Sequence, residues 1–186
     1  MYGLLNNALK VYVKEKYGDD IWDLVRFRAG ILDDNFKNSE GYSDKITYDL
    51  VGAVADTANT TVDLVLDGFG EQWVKYTVEQ GYGQLFEVAG ENIRDFLLSL
   101  NAMHANMHRT FPNLVPPKFK FDPLDPRTLR MHYESTRQGL CPMIPGLLRG
   151  LSNRFMTPLT VEEVACARNR AHHCEFIVTL LTPTKP

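Results

Sequence analysis

The segment TLRMHYESTR, Thr128 to Arg137, is the place where this sequence changes from helical to extended patterning. Its apolar and polar residues alternate, which predicts a β-strand with one buried face. Because residues i, i+2 and i+4 of a strand point the same way, Tyr133, Ser135 and Arg137 would share a face. A phenol, an alcohol and a guanidinium in a row suit a ligand that carries carboxylates. The same pattern alone is also typical of a solvated sheet face.

Helical patterning fills the sequence before this segment. Apolar stripes, flanking glycines and closing prolines predict five helices. They are a first helix that ends at Gly18, a second from about Asp19 to Gly30, a third from Thr47 to Thr57, a fourth from Thr61 towards Gln80, and a long fifth from Glu91 to about Arg109.

Strand patterning dominates the rest of the chain. The alternating stretch KFKFD precedes the quoted segment, and two further strands are predicted at Val161–Arg168 and His173–Leu181. A helix from about Met143 to Arg154 interrupts them. Helices first, followed by an antiparallel sheet with a helical insertion, predict an α+β fold in which the helical half packs on the sheet. We expect residues 1–186 to form a single domain.

Composition excludes several classes of protein. The chain has 186 residues, of which 44% are hydrophobic and 23% charged, as in a soluble globular protein. A net charge of −3 without a basic block argues against a nucleic-acid partner. No apolar run is long enough for a membrane span, and no signal peptide is recognisable. The three cysteines, an odd number, do not indicate a disulfide framework and favour a reducing cytoplasm.

His104 interrupts an apolar stripe of the predicted fifth helix. Ile93, Leu97, Leu100, His104 and Met107 fall on one helical face. One interpretation is a core histidine that is hydrogen bonded to a backbone carbonyl. The other is a metal ligand, because a neutral imidazole in an apolar cavity is a common axial ligand of haem iron. Leu100, one turn earlier, would then line the same pocket.

The two features together indicate a haem site. Haem is an apolar disc with two propionate carboxylates on one edge, so it needs an apolar slot, an axial ligand and hydrogen-bond donors. His104 would supply the ligand, and Tyr133, Ser135 and Arg137 would supply the donors. A histidine about thirty residues before such a motif, with a proline-rich loop between them, is hard to reconcile with a solvated face.

These residues resemble the signature of the H-NOX family, haem-based sensors of nitric oxide and oxygen that are related to the β subunit of soluble guanylate cyclase. The similarity extends over MYGLLNNAL, YGDDIW, TYDLVGA, FGEQW, FLLSLNAMHANMHRTFPNLVPPKF and YESTRQGL, and the pattern most resembles cyanobacterial and cyclase-like members. It implies haem b held between the helical half and the sheet, with His104 as the proximal iron ligand and Tyr133, Ser135 and Arg137 around the propionates. Pro117 matches the family proline that presses on the haem and distorts it.

Gas selectivity is expected to depend on the distal side of the haem. Members that hold oxygen place a tyrosine hydroxyl there, and the matching position is Met143, whose thioether cannot donate a hydrogen bond. By the same comparison, the other pocket positions are Leu5, Leu9 and Trp73. We therefore expect binding of nitric oxide and carbon monoxide and exclusion of oxygen. The alternative is oxygen binding with the indole N–H of Trp73 as donor; that indole also suits plain pocket packing.

The cysteines suggest a second metal site. Some bacterial members of the family carry a structural zinc at similar places, so Cys141, Cys166 and Cys174 with His173 or a neighbouring histidine are a candidate zinc set. The match is incomplete, because those members have a histidine where Glu163 stands here. Three reduced, partly buried thiols are the alternative.

The resemblance implies a sensor and not an enzyme. Weakening or rupture of the bond between His104 and iron would transmit the signal to a separate partner, such as a histidine kinase, a cyclase or phosphodiesterase, or a chemotaxis protein. No catalytic motif is present in the sequence. Two alternatives remain open: a haem carrier, and a thiol- or zinc-based redox sensor in which haem is subsidiary.

Overall fold

The computed structural model describes residues 1–107 and 111–181 and has the α+β fold that the sequence predicts. The helices are α1 (Gly3–Tyr17), α2 (Asp19–Arg28), α3 (Asp44–Thr57), α4 (Val62–Thr77), α5 (Gly83–Ala89), α6 (Ile93–Met107) and α7 (Met143–Arg154). The strands are β1 (Lys118–Pro123), β2 (Thr128–Glu134), β3 (Leu159–Ala165) and β4 (Cys174–Leu180). Within the described ranges, no helix combines the length and apolarity that a membrane crossing requires.

Local capping explains where α3 and α4 begin. The hydroxyl of Thr61 accepts a hydrogen bond from the Leu64 N–H at 3.2 Å and starts α4, as predicted. Helix α3 begins three residues before the predicted position because Ser43 caps it. A π-helical segment, Val78–Tyr82, follows α4, so the chain stays helical towards Gln80 as predicted. Gly81 in this segment has a φ of 88° and breaks the helix before α5, a helix that the sequence did not predict. The predicted extension of the fifth helix to Arg109 falls outside the described residues.

The four strands form one antiparallel sheet in the order β1-β2-β4-β3. Tyr133 is opposite Phe119 of β1 and opposite Cys174 of β4. Strand β2 ends at Glu134, so the prediction of a strand through Arg137 was wrong. The Arg137 N–H donates to the Ser135 hydroxyl at 3.0 Å, a local bond that closes a turn in place of a strand ladder. The predicted bounds of β3 and β4 were also shifted by a few residues.

Two apolar clusters form the core. The first lies among the amino-terminal helices; the second lies between the sheet, α6 and α7. Helices α4 and α7 approach each other very closely, because a Cβ added at Gly70 or Gly146 would overlap the backbone of the other helix. The guanidinium of Arg149 on α7 binds Asp67 and Glu71 of α4, with its Nη2 2.7 Å from Asp67 Oδ2. This contact joins the helical half to the sheet half.

Candidate functional site

His104 lies near the carboxyl end of α6, on a helix that is docked against the edge of the sheet. One turn earlier, the Asn101 amide donates to the Phe119 carbonyl and accepts from the Phe119 N–H at 3.1 Å. The Nδ1 of His104 is buried and has no hydrogen-bond partner among residues 1–107 and 111–181. Burial lowers the pKa of His104 to about 4, so the imidazole is neutral at pH 7. A neutral, unpartnered ring nitrogen in a buried place is suited to a metal.

Phe119 links His104 to the first residue of the Tyr-Ser-Arg motif. Its ring centroid is 6.0 Å from that of His104 and 5.6 Å from that of Tyr133. Sequence reasoning missed Asn101 and Phe119. The signals were available, because Asn101 stands one helical turn before His104 and the KFKFD alternation directs Phe119 and Phe121 to one face.

Tyr133, Ser135 and Arg137 line one cavity of about 540 Å³, although only Tyr133 belongs to a strand. Tyr133 is 7% exposed, and burial raises the pKa of its hydroxyl to about 12, so it keeps its proton. The Arg137 Nη1 donates to the Val115 carbonyl at 2.6 Å. The motif is therefore assembled from the end of β2 and the following turn.

Asp44 holds the Arg137 guanidinium in this position. The Arg137 Nε donates to Asp44 Oδ2 at 2.8 Å, and the amino terminus of Met1 binds the other carboxylate oxygen. Burial alone would raise the pKa of Asp44, but the hydrogen bonds from the amino terminus and Arg137 outweigh it and lower the pKa. Asp44 therefore stays ionised and orients Arg137 across the two halves of the fold.

The predicted distal residues all belong to the first apolar cluster. Leu9 is fully buried, while Leu5, Trp73 and Met143 are partly buried and pack against that cluster. Leu100, predicted for the side of His104, packs against the second cluster. The pocket residues expected from the family resemblance therefore belong to two different clusters.

His104 lies where these clusters meet. On α6, Met103 packs against the second cluster and Met107 against the first, and His104 stands between them. On α7, Met143 packs against the first cluster and its neighbour Ile144 belongs to the second. An apolar junction, a neutral imidazole with a buried Nδ1 and a cavity lined by donors fit the three requirements of a haem.

Pro117 is partly buried and directly precedes β1, and its neighbour Pro116 lines the cavity of the Tyr-Ser-Arg motif. The turn that carries Pro117 is held by the bond from Arg137 to Val115. Its position is compatible with the haem contact that the family resemblance implies.

The three cysteines come together, as the zinc prediction required. The Sγ atoms of Cys141 and Cys166 are 3.5 Å apart, those of Cys166 and Cys174 are 3.8 Å apart, and all three residues are buried. The fourth group within 4.8 Å is the carboxylate of Glu163, not His173. His173 lies outside this group and clusters with His132 and Glu175.

Comparisons with known proteins agree with the fold. The family model for haem-NO-binding domains matches residues 2–163. Soluble guanylate cyclase gcy-31 of Caenorhabditis elegans is 31% identical over 163 residues, 87% of this chain. Soluble guanylate cyclase 89Da of Drosophila melanogaster is 28% identical over 155 residues, 83% of this chain. The chain spans about a quarter of the length of these curated relatives, 23% of each.

Solved structures share the fold. An H-NOX protein from S. oneidensis in the Fe(II)NO ligation state superposes with a TM-score of 0.90 at 19% identity, covering 98% of this chain and 100% of that one. The Fe(II)CO form of the Shewanella oneidensis domain superposes with a TM-score of 0.86 at 19% identity, covering 97% and 99%. With the family match over most of the chain, these findings show that it belongs to the haem-NO-binding (H-NOX) family of haem-based gas sensors.

Proposed function

We propose that this chain binds haem b through His104 and senses nitric oxide and carbon monoxide while excluding oxygen. The observation that carries the proposal is the Nδ1 of His104, which is buried without a hydrogen-bond partner in the described part of the chain. Leaving such an atom unpaired costs about 1–3 kcal/mol, and coordination of the neutral imidazole offsets that cost. The ring stands at the junction of the two apolar clusters, where an apolar disc would be shielded from water.

Tyr133, Ser135 and Arg137 are proposed to hold the propionates. Tyr133 keeps its proton and donates, Ser135 offers a hydroxyl, and Arg137 provides a guanidinium that Asp44 orients. Charge-assisted bonds from a guanidinium to a carboxylate are the strongest of the three contacts. Arg137 also binds the Val115 carbonyl, so the same side chain fixes the turn that leads to Pro117.

The distal side favours gases that need no hydrogen-bond donor. Leu5, Leu9 and Met143 carry no N–H or O–H in their side chains, and Trp73 carries one indole N–H. Trp73 packs against Phe69 with its ring centroid 6.5 Å away, which supports a packing role. We therefore propose that bound oxygen finds no donor, while nitric oxide and carbon monoxide bind without one.

Helix α6 is the proposed signalling element. A bound haem would supply the gas-binding position, and His104 would be the residue that ties it to α6. If gas binding weakened that tie, α6 would depend on its Asn101–Phe119 contact with β1. Such a helix is a two-state element that a ligand biases. The receiving partner is proposed to be a cyclase-type protein, because the similar curated proteins are cyclases.

Replacement of His104 by glycine tests the proposal. The reduced His104→Gly protein should lose its haem on desalting and regain a five-coordinate ferrous spectrum when free imidazole is added, because imidazole then fills the vacated ligand position. His172→Gly is the matched control, since His172 is exposed, and should keep the spectrum of the parent protein. Normal haem retention in His104→Gly without imidazole would contradict the proposal.

The cysteine cluster supports a second proposal, a structural zinc site formed by Cys141, Cys166, Cys174 and Glu163. In a tetrahedral site with Zn–S bonds of about 2.3 Å, sulfur atoms lie roughly 3.8 Å apart. The observed Sγ separations of 3.5 and 3.8 Å agree with that geometry. Metal analysis should find one zinc per chain at the cysteine cluster. Cys166→Ala should lose this zinc, whereas His173→Ala should keep it. Zinc content unchanged in Cys166→Ala would contradict this assignment.

A further inference from the structure

A cluster of polar side chains occupies the outer face of the sheet. His132 of β2 pairs across the strands with Glu175 of β4, and His173 immediately precedes β4. The neighbouring residues Tyr133 and Cys174 are buried on the opposite face, so the cluster is separate from the cysteines. The side chains of His132, His173 and Glu175 are 14%, 27% and 24% exposed, which leaves them reachable yet held in place.

The ligand atoms of the cluster have the spacing of a metal site. His132 Nδ1 is 2.8 Å from His173 Nε2, His173 Nε2 is 3.1 Å from Glu175 Oε1, and His132 Nδ1 is 3.6 Å from Glu175 Oε1. Donor atoms around a tetrahedral zinc, with bonds of about 2.0–2.1 Å, lie roughly 3.3 Å apart. The three separations bracket this value, so one ion can reach all three atoms with little rearrangement.

Asp122 orients His132 for this role. Its Oδ2 is 2.8 Å from the Nε2 of His132, the ring nitrogen that is turned away from the cluster. When Nε2 donates its proton to the carboxylate, Nδ1 presents a lone pair towards His173 and Glu175. A carboxylate behind a ligating histidine is the usual outer partner of a zinc-bound imidazole.

We propose that His132, His173 and Glu175 form a binding site for a divalent transition metal such as Zn²⁺, with Asp122 as the positioning residue. Two imidazoles favour such ions over Mg²⁺ and Ca²⁺, which prefer oxygen ligands. Three protein ligands leave one coordination position open. His173 also lines the cavity of the Tyr-Ser-Arg motif, so a bound ion would hold the segment before β4 beside that cavity.

Zn²⁺ binding to the haem-loaded protein tests the site. Equilibrium dialysis with metal analysis should show one Zn²⁺ per chain that is lost in His132→Gln and in Glu175→Gln, while His172→Gln binds as the parent protein does. Asp122→Asn should keep the stoichiometry but weaken the affinity roughly 10- to 100-fold, because it removes only the outer partner. None of these changes touches the cysteines, so any zinc held there is common to all variants.

Thermal unfolding of the same variants separates loss of the site from loss of the fold. Without added metal, His132→Gln and Glu175→Gln should keep the haem absorption of the parent and unfold at a similar temperature. Added Zn²⁺ should raise the Tm of the parent and of His172→Gln by more than that of His132→Gln, which keeps only the cysteine site. Equal Zn²⁺ binding by His132→Gln and the parent, or an equal loss in His172→Gln, would overturn the proposal.

Discussion

At the scale of single residues, the buried Nδ1 of His104 is the feature that most constrains the site. Its position on an apolar stripe was visible in the sequence, but its unpartnered Nδ1 was not, because that depends on every element packed around α6. The Tyr-Ser-Arg motif was also visible. Its partner Asp44 was not, since a bond between residues 93 positions apart in the chain leaves no local pattern.

The depressed pKa of His104 predicts an acid-sensitive haem-free chain. The folded imidazole protonates near pH 4, whereas an unfolded histidine protonates near pH 6.5, so the unfolded state binds the proton first as pH falls. Stability is therefore lost between about pH 6.5 and pH 4, with a loss of about 2 kcal/mol at pH 5. Urea unfolding at pH 7 and pH 5 should show this loss in the parent. His104→Leu should not show the share of this stability loss that comes from His104. An identical pH dependence of the unfolding free energy in His104→Leu and the parent would argue against a neutral imidazole with a depressed pKa.

Arg137→Ala should accelerate haem loss. Removal of one charge-assisted hydrogen bond costs about 1.5–3 kcal/mol, which corresponds to a roughly 10- to 100-fold faster transfer of haem to an acceptor protein. Transfer is measured by the absorbance of the acceptor after mixing. Arg170→Ala, an exposed arginine in the β3–β4 connection, serves as the control and should transfer haem at the parent rate. Equal rates of haem transfer in both variants would contradict a role of Arg137 in holding the propionates.

At the scale of elements, the sequence located α7 correctly but misplaced the end of β2. Periodicity identifies the interior of an element, whereas its end depends on turn chemistry such as the Ser135–Arg137 bond and the positive φ of Gly139, 80°. The predicted zinc ligands show the same limit of reasoning from periodicity. Glu163 and not His173 joins the cysteines, because the alternation of β4 puts Cys174 on the inner face and its flanking residues on the outer one.

Asn101→Ala should loosen α6 from the sheet. The change leaves the N–H and C=O of Phe119 on edge strand β1 without their partner, at a cost of about 1–3 kcal/mol. We expect a lower Tm and a perturbed spectrum of the reduced haem, because the contact positions the turn that carries His104. Asn106→Ala, an exposed change on the same helix, is the control. Unchanged Tm and spectrum in Asn101→Ala would show that the contact does not position His104.

Gly146→Ala should disrupt the packing of α7 on α4. A Cβ at this position would overlap the Asp67 carbonyl, and overpacking of this kind costs about 1–3 kcal/mol or prevents folding. Gly52→Ala in α3 is the matched control, because a Cβ there has nothing within 4 Å and should stabilise the helix by about 0.5–1 kcal/mol. Denaturant unfolding compares the two. If Gly146→Ala left the free energy of unfolding unchanged, α4 and α7 would have to lie farther apart than described.

At the scale of the whole molecule, two apolar clusters are joined through α4 and α7, and α6 passes from one cluster to the other. The α+β plan could be predicted from the sequence, since helical and strand patterns occupy different parts of the chain. The junction could not, because it is a property of how the clusters pack. In the proposed function, the position of His104 at this junction would connect the haem to the relative position of the two halves.

The absorption spectrum of the reduced protein, recorded without oxygen and then in air, carbon monoxide and nitric oxide, shows whether His104 holds a haem that excludes oxygen. We predict a five-coordinate ferrous spectrum that air leaves unchanged and that both other gases shift, because His104 would be the ligand and the distal side lacks a donor other than Trp73. A stable spectral shift in air would contradict the exclusion of oxygen and assign the missing donor to Trp73. Absence of a haem spectrum after haem is supplied would contradict the haem site itself.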